Sequence, residues 1–397
     1  MSDRIIHPLR FKFIVNVISS GKSLPEQAFA NEGYPIYGGG ELIGFSKIAN
    51  TDKGDILIGR VGARCGCVKY LNEKAWATDN ALIIKTKNNS RFVSLLLEAA
   101  NLNKIVSQDS TAQPLVTGGK IRELSMPFLT DTTEQQQIVH FLDRKCTAID
   151  TAIEKTKKSI EKLEEYKKAV ITKAVTKGID PNAKMKDSGV EWCPQIPEHW
   201  SVVNPKALFS QRTERILPGD KQLTASQEHG IIYQDEYTKA TGSRVVAVIR
   251  DFSILKHVEP NDFVISMRSF QGGLEYSEKR GCISSAYVML IPNTKYVYPP
   301  FYRWFFKSSK YINALQSTSN FVRDGQAMRY SHFIQIPLFV IPLTEQKQIA
   351  NYLESKVNAI MVLIQKKQMA IAKWEEYKKS LIYYAVTGKI DCRNEVI

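Results

Sequence analysis

TEQQQIVHFLDRKCTAIDTAIEKTKKSIEKLEEYKKAVITKAVTKGID, Thr133 to Asp180, is written again with changes as TEQKQIANYLESKVNAIMVLIQKKQMAIAKWEEYKKSLIYYAVTGKID, Thr344 to Asp391. The copies align without a gap at an offset of 211 residues (344 less 133), and about half of the positions are identical. A gapless match of this kind means that length itself is constrained, and a repeat fixes architecture before any local feature does. The spacing is far longer than a solenoid period, so each copy belongs to a domain-sized unit.

The apolar residues of each copy follow a seven-residue period. In the first, Leu142, Ile149, Leu163 and Val170 fall on one comb, interrupted by Thr156; Cys146, Ile153, Ile160 and Ala174 fall on a second, interrupted by Lys167. In the second copy, Leu353, Ile360, Trp374 and Leu381 share a comb with Lys367, and Val357, Ile364, Ile371 and Ala385 share one with Lys378. These are the d and a positions of a coiled-coil seam. Thr132 or Thr133 with a glutamine three residues on predicts a capping box at the start, and Glu134 and Glu345 suit the helix dipole there. Gly178 and Gly388 predict the stops. Each helix is then about 44 residues and about 65 Å long. A seam of that length needs a partner, and each helix is the natural partner of the other. A parallel in-register pair would set Lys167 against Lys378 on a desolvated seam, which is unfavourable. The antiparallel pair is expected, with Lys167 near the start of its partner.

The 397 residues allow two or three domains. Net charge is +14 and the pI about 9.3, which points to a polyanionic partner, nucleic acid before others. No apolar run has the length of a membrane span, and MSDRIIHPLRFKF at the start lacks a signal-peptide pattern. The cysteines (Cys65, Cys67, Cys146, Cys193, Cys282 and Cys392) are scattered, so the expectation is free thiols in a cytoplasmic protein and no zinc site.

Before each helix lies a mixed segment of short apolar runs and glycine, asparagine and aspartate turns, which predicts strands with a few helices. KGDILIGRVG (Lys53–Gly62) resembles PNDFVISMRS (Pro260–Ser269), and ATDNALIIK (Ala77–Lys85) resembles ISSAYVMLI (Ile283–Ile291). The expected division is a first mixed domain at 1–131, a helix at 132–178, a linker at 179–200, a second mixed domain at 201–343, a helix at 344–388 and a tail at 389–397. The linker's prolines and glycines read as a loosely packed connection. The fold class is α+β: two mixed α/β domains separated by a long antiparallel two-helix coiled coil, with pseudo-two-fold symmetry. Such a plan fits the local two-fold of duplex DNA and a split target with an unread spacer, the rod setting the spacer.

The TEQ starts, the EEYKK and AVT-x-x-ID signatures, the SGVEW-x-x-x-IPEHW linker and YPIYGGGELIGFS (Tyr34–Ser46) resemble the specificity subunit of type I restriction–modification systems, over essentially the whole chain. The resemblance implies two target-recognition domains, each reading half of a bipartite DNA site. It also implies a helical ruler and docking of two methyltransferase (modification) subunits. Those partners would methylate adenine at N6 with S-adenosylmethionine, and restriction/translocase subunits using ATP and Mg would be optional members of the complex. The chain itself would bind no cofactor or metal and have no active site. One departure is that no counterpart of EW…IPEHW precedes the first domain; the tail after Gly388 is a candidate to fill that place.

Two strings test the alternative of a single-chain methyltransferase or nuclease. Tyr298-Pro-Pro-Phe301 is near the adenine-methyltransferase motif but has tyrosine where an amide or carboxylate must accept the target amino group, and reads better as a turn opening a helix. Gly38-Gly39-Gly40 lacks the context of a dinucleotide loop. The third alternative is a coiled-coil scaffold with no DNA role. Base readout needs long polar side chains on loops. The candidate DNA contacts are Arg60, Arg64, Lys69, Gln113 and Lys120 in the first domain, and Arg268, Gln271, Arg323, Gln326 and Arg329 in the second.

Overall fold

The computed structural model describes residues 7–104, 114–243, 252–266, 269–318 and 329–392. The chain divides into two compact units, one of residues 1–157 with 367–397, the other of 158–366.

In the first unit a four-stranded antiparallel sheet runs in the order Val17–Ser20, Ala81–Lys85, Ile56–Gly59, Val68–Tyr70. ILIG can be a central strand because both faces are covered. Ile56 and Ile58 enter one core with Phe11, Phe92 and Leu96, while Leu57 enters another with Leu71, Ala75 and Ile83. This is the two-residue period of a strand with two buried faces. The helix Ser90–Ala99 is capped by Asn89, whose side chain accepts from the Phe92 amide. A second sheet carries the hairpin Tyr34–Gly38 and Glu41–Ser46. His7–Arg10 pairs with Ser125–Phe128, which leads into the first long helix, Thr132–Lys177.

The second unit repeats the plan. Its four-stranded antiparallel sheet runs Phe209–Arg212, Val288–Pro292, Phe263–Ile265, Glu275–Tyr276. Ser201–Val203 pairs with Leu338–Val340 ahead of the second long helix, Leu343–Val386. The strands from the two weakly similar sequence pairs take equal places in the two sheets. The core here is aromatic: Phe209, Phe263, Tyr302, Phe306 and Phe333 are wholly buried, with edge-on ring contacts.

The α+β fold holds, and the long helices pair antiparallel in both units. In the first, Leu142 and Cys146 share a core with Leu381 and Ala385, and Lys378 Nζ lies 2.7 Å from Asp150 Oδ2. In the second, Ile171 and Ala174 share a core with Leu353 and Val357, and Lys167 Nζ lies 3.4 Å from Met361 Sδ. Of the expected seam, Leu142, Ile153, Leu353, Ile360 and Ile364 are buried, and Ile149, Ile160, Leu163, Ile371 and Trp374 are half-buried. Two of the seam lysines have a carboxylate, Asp150 for Lys378 and Glu164 for Lys167. Lys167 does not sit at the partner's start, as expected, but well inside it beside Met361. The ion pair with Glu164 and a half-buried position make that placement tolerable.

Two further expectations are corrected. The first long helix is capped by Asp131, whose Oδ1 accepts the Thr133 amide at 2.8 Å, not by Thr132 or Thr133 in a capping box. A carboxylate one residue earlier satisfies the same orphan amides and adds charge at the dipole's positive end. The connection after Gly178 is not loose. Met185–Asp187 pairs with Gln195–Pro197, Cys193, Ile196 and Trp200 are fully buried, and Trp192 packs against Phe305, Tyr311 and Phe339. Two tryptophans bury more apolar area than the local prolines and glycines can loosen.

Leu353→Ala should lower unfolding free energy by about 2–5 kcal/mol, the range for a fully buried leucine. Leu363→Ala, on the same helix but 49% exposed, should change it by no more than about 0.5 kcal/mol. Urea denaturation of both variants compares them; equal losses would mean that the heptad seam does not carry the helix.

Candidate nucleic-acid interface

At one end of the first unit's central sheet several loops converge. Gly39 and Gly40 close the hairpin with φ of +64° and +104°, a turn that side chains with a Cβ rarely adopt. A Cβ on Gly59 would lie 2.8 Å from the Gly39 carbonyl oxygen and 2.1 Å from that of Arg64, so the hairpin tip and the turn after Ile56–Gly59 touch backbone to backbone. The Val116 amide donates to the Arg60 carbonyl at 2.9 Å, bringing in the segment that leads to Lys120. The Arg60 amide in turn donates to the Asn80 carbonyl.

Arg60 and Arg64 therefore sit in one loop cluster, with Lys69 on the adjoining strand Val68–Tyr70 and Lys120 on the helix Gly118–Glu123 just after Val116. They differ in what they can do. Arg60 Nη1 donates to Ser20 Oγ at 2.9 Å and to the Asp79 carbonyl, and its Nε is buried, so this guanidinium braces the loops. Arg64 pairs with Glu41 with both side chains over half exposed. Such a pair is weak and can be exchanged for phosphate. Lys69 Nζ stands 4.8 Å from the centre of the Tyr37 ring. Lys120 is exposed near the start of the helix Gly118–Glu123, where Thr117 caps its amide. Cys65 donates its thiol to the Arg60 carbonyl, and burial holds that thiol above its ordinary value, which suits a structural role.

In the second unit Gln271 is exposed on the short helix Ser269–Gly272, and Arg329 is exposed ahead of Tyr330–Phe333. Gln113, Arg268, Arg323 and Gln326 lie outside the described residues. Sequence reading missed a cation and aromatic cluster: Lys279 and Lys221 Nζ stand 4.7 Å and 5.9 Å from the centre of the Tyr233 ring. Its members are far apart in the chain and carry no spacing signal.

Also missed was the use of the repeated glutamine. Gln346 is fully buried. Its Nε2 donates to the Tyr296 and Ile341 carbonyls at 2.7 and 2.8 Å, and its Oε1 accepts the Tyr298 amide at 2.8 Å. The counterpart Gln135 donates to the Leu129 carbonyl at 2.6 Å. Each glutamine ties its domain to the first turn of its helix, and the TEQ match in both copies was the available signal. Tyr298-Pro-Pro-Phe301 serves the same latch: Pro299 and Phe301 are buried and the Tyr298 amide is taken by Gln346. Beside it, Glu345 Oε2 accepts from Trp200 Nε1 at 3.1 Å and lies 2.7 Å from His199 Nε2, fixing the linker to the second helix.

Residues 11–165 match the type I restriction modification DNA specificity domain. The chain is similar over part of its length to proteins named as type I specificity subunits. It is 25% identical over 296 residues to the MjaX specificity subunit of Methanocaldococcus jannaschii, covering 73% of this chain. It is 32% identical over 123 residues, 30% of this chain, to the EcoprrI specificity subunit of Escherichia coli. The matches span 65% and 30% of those relatives' own lengths. In fold it resembles a chain from a structural study of complex assembly and conformational transition in the type I R-M system, with a TM-score of 0.68 at 12% identity over 97% of this chain and 98% of the other. Among the described residues no helix is long and apolar enough to cross a membrane, and no cluster of three or more His, Cys, Asp or Glu could hold a metal ion.

Beyond the matched specificity domain, the second unit holds a buried ion cluster. His257 is fully buried, with Nδ1 2.7 Å from Asp220 Oδ2 and Nε2 2.8 Å from Glu259 Oε1. Arg280 Nε faces the same carboxylates at 3.5 and 3.7 Å. Two carboxylate partners require both ring nitrogens to donate, which is the imidazolium form. Burial opposes that charge, but the hydrogen bonds to Asp220 and Glu259 outweigh it and hold His257 above its ordinary value. A raised folded value contributes stability that is full below the unfolded value of about 6.5 and is lost as pH rises through the folded one. The melting temperature should therefore decline as pH rises above about 6.5, and His257→Gln should flatten that decline. Parallel pH curves for the two proteins would remove the charged histidine from the account.

Proposed function

We propose that this chain is the DNA-reading subunit of a type I restriction–modification complex. It reads a bipartite target with an unread spacer, one half-site per mixed domain. Through partner subunits it directs adenine-N6 methylation and, where restriction subunits are present, cleavage. The observation that carries this reading is the duplication. Each unit has a four-stranded sheet of the same order, and each domain is latched by a buried glutamine to a helix of the repeated sequence. The +14 net charge supports a polyanionic partner.

In this reading Arg64, Lys69 and Lys120 contact the first half-site, and Gln271 and Arg329 the second. Arg60 keeps the first loop cluster in shape. The paired helices set the spacer. Their outer surfaces receive two methyltransferase subunits, which supply S-adenosylmethionine chemistry; ATP and Mg belong to restriction subunits. The chain itself is non-catalytic.

One heptad inserted in both long helices adds about 10 Å, so the spacer should lengthen by about 3 bp at 3.4 Å per step with both half-sites unchanged. Sequencing of methylated adenines in a host carrying the altered gene reads this directly, and a changed half-site with the old spacer would sink the ruler. The double variant Arg64→Ala with Lys69→Ala should reduce the slope of log affinity against log salt by about 1 for each phosphate that is no longer neutralised. An unchanged slope would place the DNA elsewhere.

A further inference from the structure

Leu42 and Ile43 are neighbours in the sequence and both are exposed, 53% and 56%. A regular strand sends consecutive side chains to opposite faces. The register explains the departure. Ile36 faces Gly44 and Tyr37 faces Leu42, which leaves Ile43 as the extra residue of a bulge in Glu41–Ser46. Bulges redirect side chains and are common next to functional sites.

The tip that carries this pair is held in place. The Gly39–Gly40 turn abuts the backbone of Gly59 and the side chain of Arg64, and Glu41, next to Leu42, pairs with Arg64. Tyr37, the cross-strand partner of Leu42, stacks with Lys69. An apolar pair raised by a bulge on a preformed tip and flanked by cations has no use for bulk water. A wholly apolar partner would leave Lys69 with only the Tyr37 ring and Arg64 with only its exposed, exchangeable pair to Glu41. A nucleic-acid duplex meets both needs, with phosphates for the cations and stacked bases for the apolar pair. Proteins that insert Leu, Ile or Phe between base steps combine these elements.

We propose that Leu42 and Ile43 form a wedge that enters between adjacent base pairs at or beside the first half-site, unstacking them. The proposal rests on the DNA-reading function above and adds residues that contribute specificity through the deformability of the step they open.

The test uses the full-length chain and duplexes carrying the methylated motif found in the host, with 2-aminopurine at successive positions of the first half-site. The expected result is a several-fold rise in fluorescence at one step on binding. Leu42→Ala with Ile43→Ala should return that signal to the free-duplex level and weaken binding about tenfold. Leu42→Met should keep both. Both positions are exposed, so the melting temperature should hold, which separates a missing wedge from a missing fold. If no position responds, or the double variant keeps the signal, the wedge is overturned while methylation of the same motif leaves the DNA-reading function standing. If the double variant loses the methyltransferase subunit on gel filtration and keeps the fluorescence rise, the pair is a protein contact. If the wild-type chain binds no DNA and directs no methylation, the function itself fails.

Discussion

Two lysines on an apolar seam constrain how the repeated helices can pair. Lys167 and Lys378 hold equivalent places in the two copies, and a parallel in-register pair would bring the two ammonium groups together in a low-dielectric contact. The antiparallel arrangement separates them: Lys378 meets Asp150 on the other helix, and Lys167 pairs with Glu164 one turn back on its own. Once that direction is set, the start of one helix meets the end of the other. In the second unit Gly178 and Glu345 come into contact, since a Cβ on Gly178 would lie 3.2 Å from Glu345 Oε1. The linker that follows Gly178 is held there through Trp200 and His199.

The coupling of each domain to its helix depends on one buried amide side chain. A buried glutamine amide in the first turn is stabilised to the extent that its two ends find partners inside the protein. Gln346 does so with three backbone groups, from Tyr296, Tyr298 and Ile341. Gln135 donates to Leu129, while its Oε1 is buried without a partner. The second domain is thus the more fully bonded of the two at this joint. The YPP segment that resembles a methyltransferase motif is part of this joint.

Legibility differs by element. The long helices can be read because thirty or more residues of heptad pattern average out local ambiguity, and even the polar interruptions keep register. The kinship of the mixed domains is visible only at the strands from Lys53 and Pro260 and from Ala77 and Ile283, where buried β-ladders restrict residue choice. Arg60, Arg64, Lys69 and Lys120 come from separate places in the chain. Their grouping depends on backbone contacts such as Gly59 against Gly39, which no periodicity announces. The linker misleads because prolines and glycines describe local stiffness, whereas Trp192 and Trp200 act through distant partners.

The sequence by itself determined the duplicated plan, the helical register, the pairing direction and the basic character, because each follows from period and charge along one stretch of chain. Tertiary structure alone decided that Arg60 braces loops instead of standing free, that His257 is buried between Asp220 and Glu259, and that a bulge falls at the exposed Leu42 and Ile43. Those outcomes depend on which groups meet after the sheets form, and a hydrogen bond or a bulge is set by the partner strand, not by the residue's own neighbours.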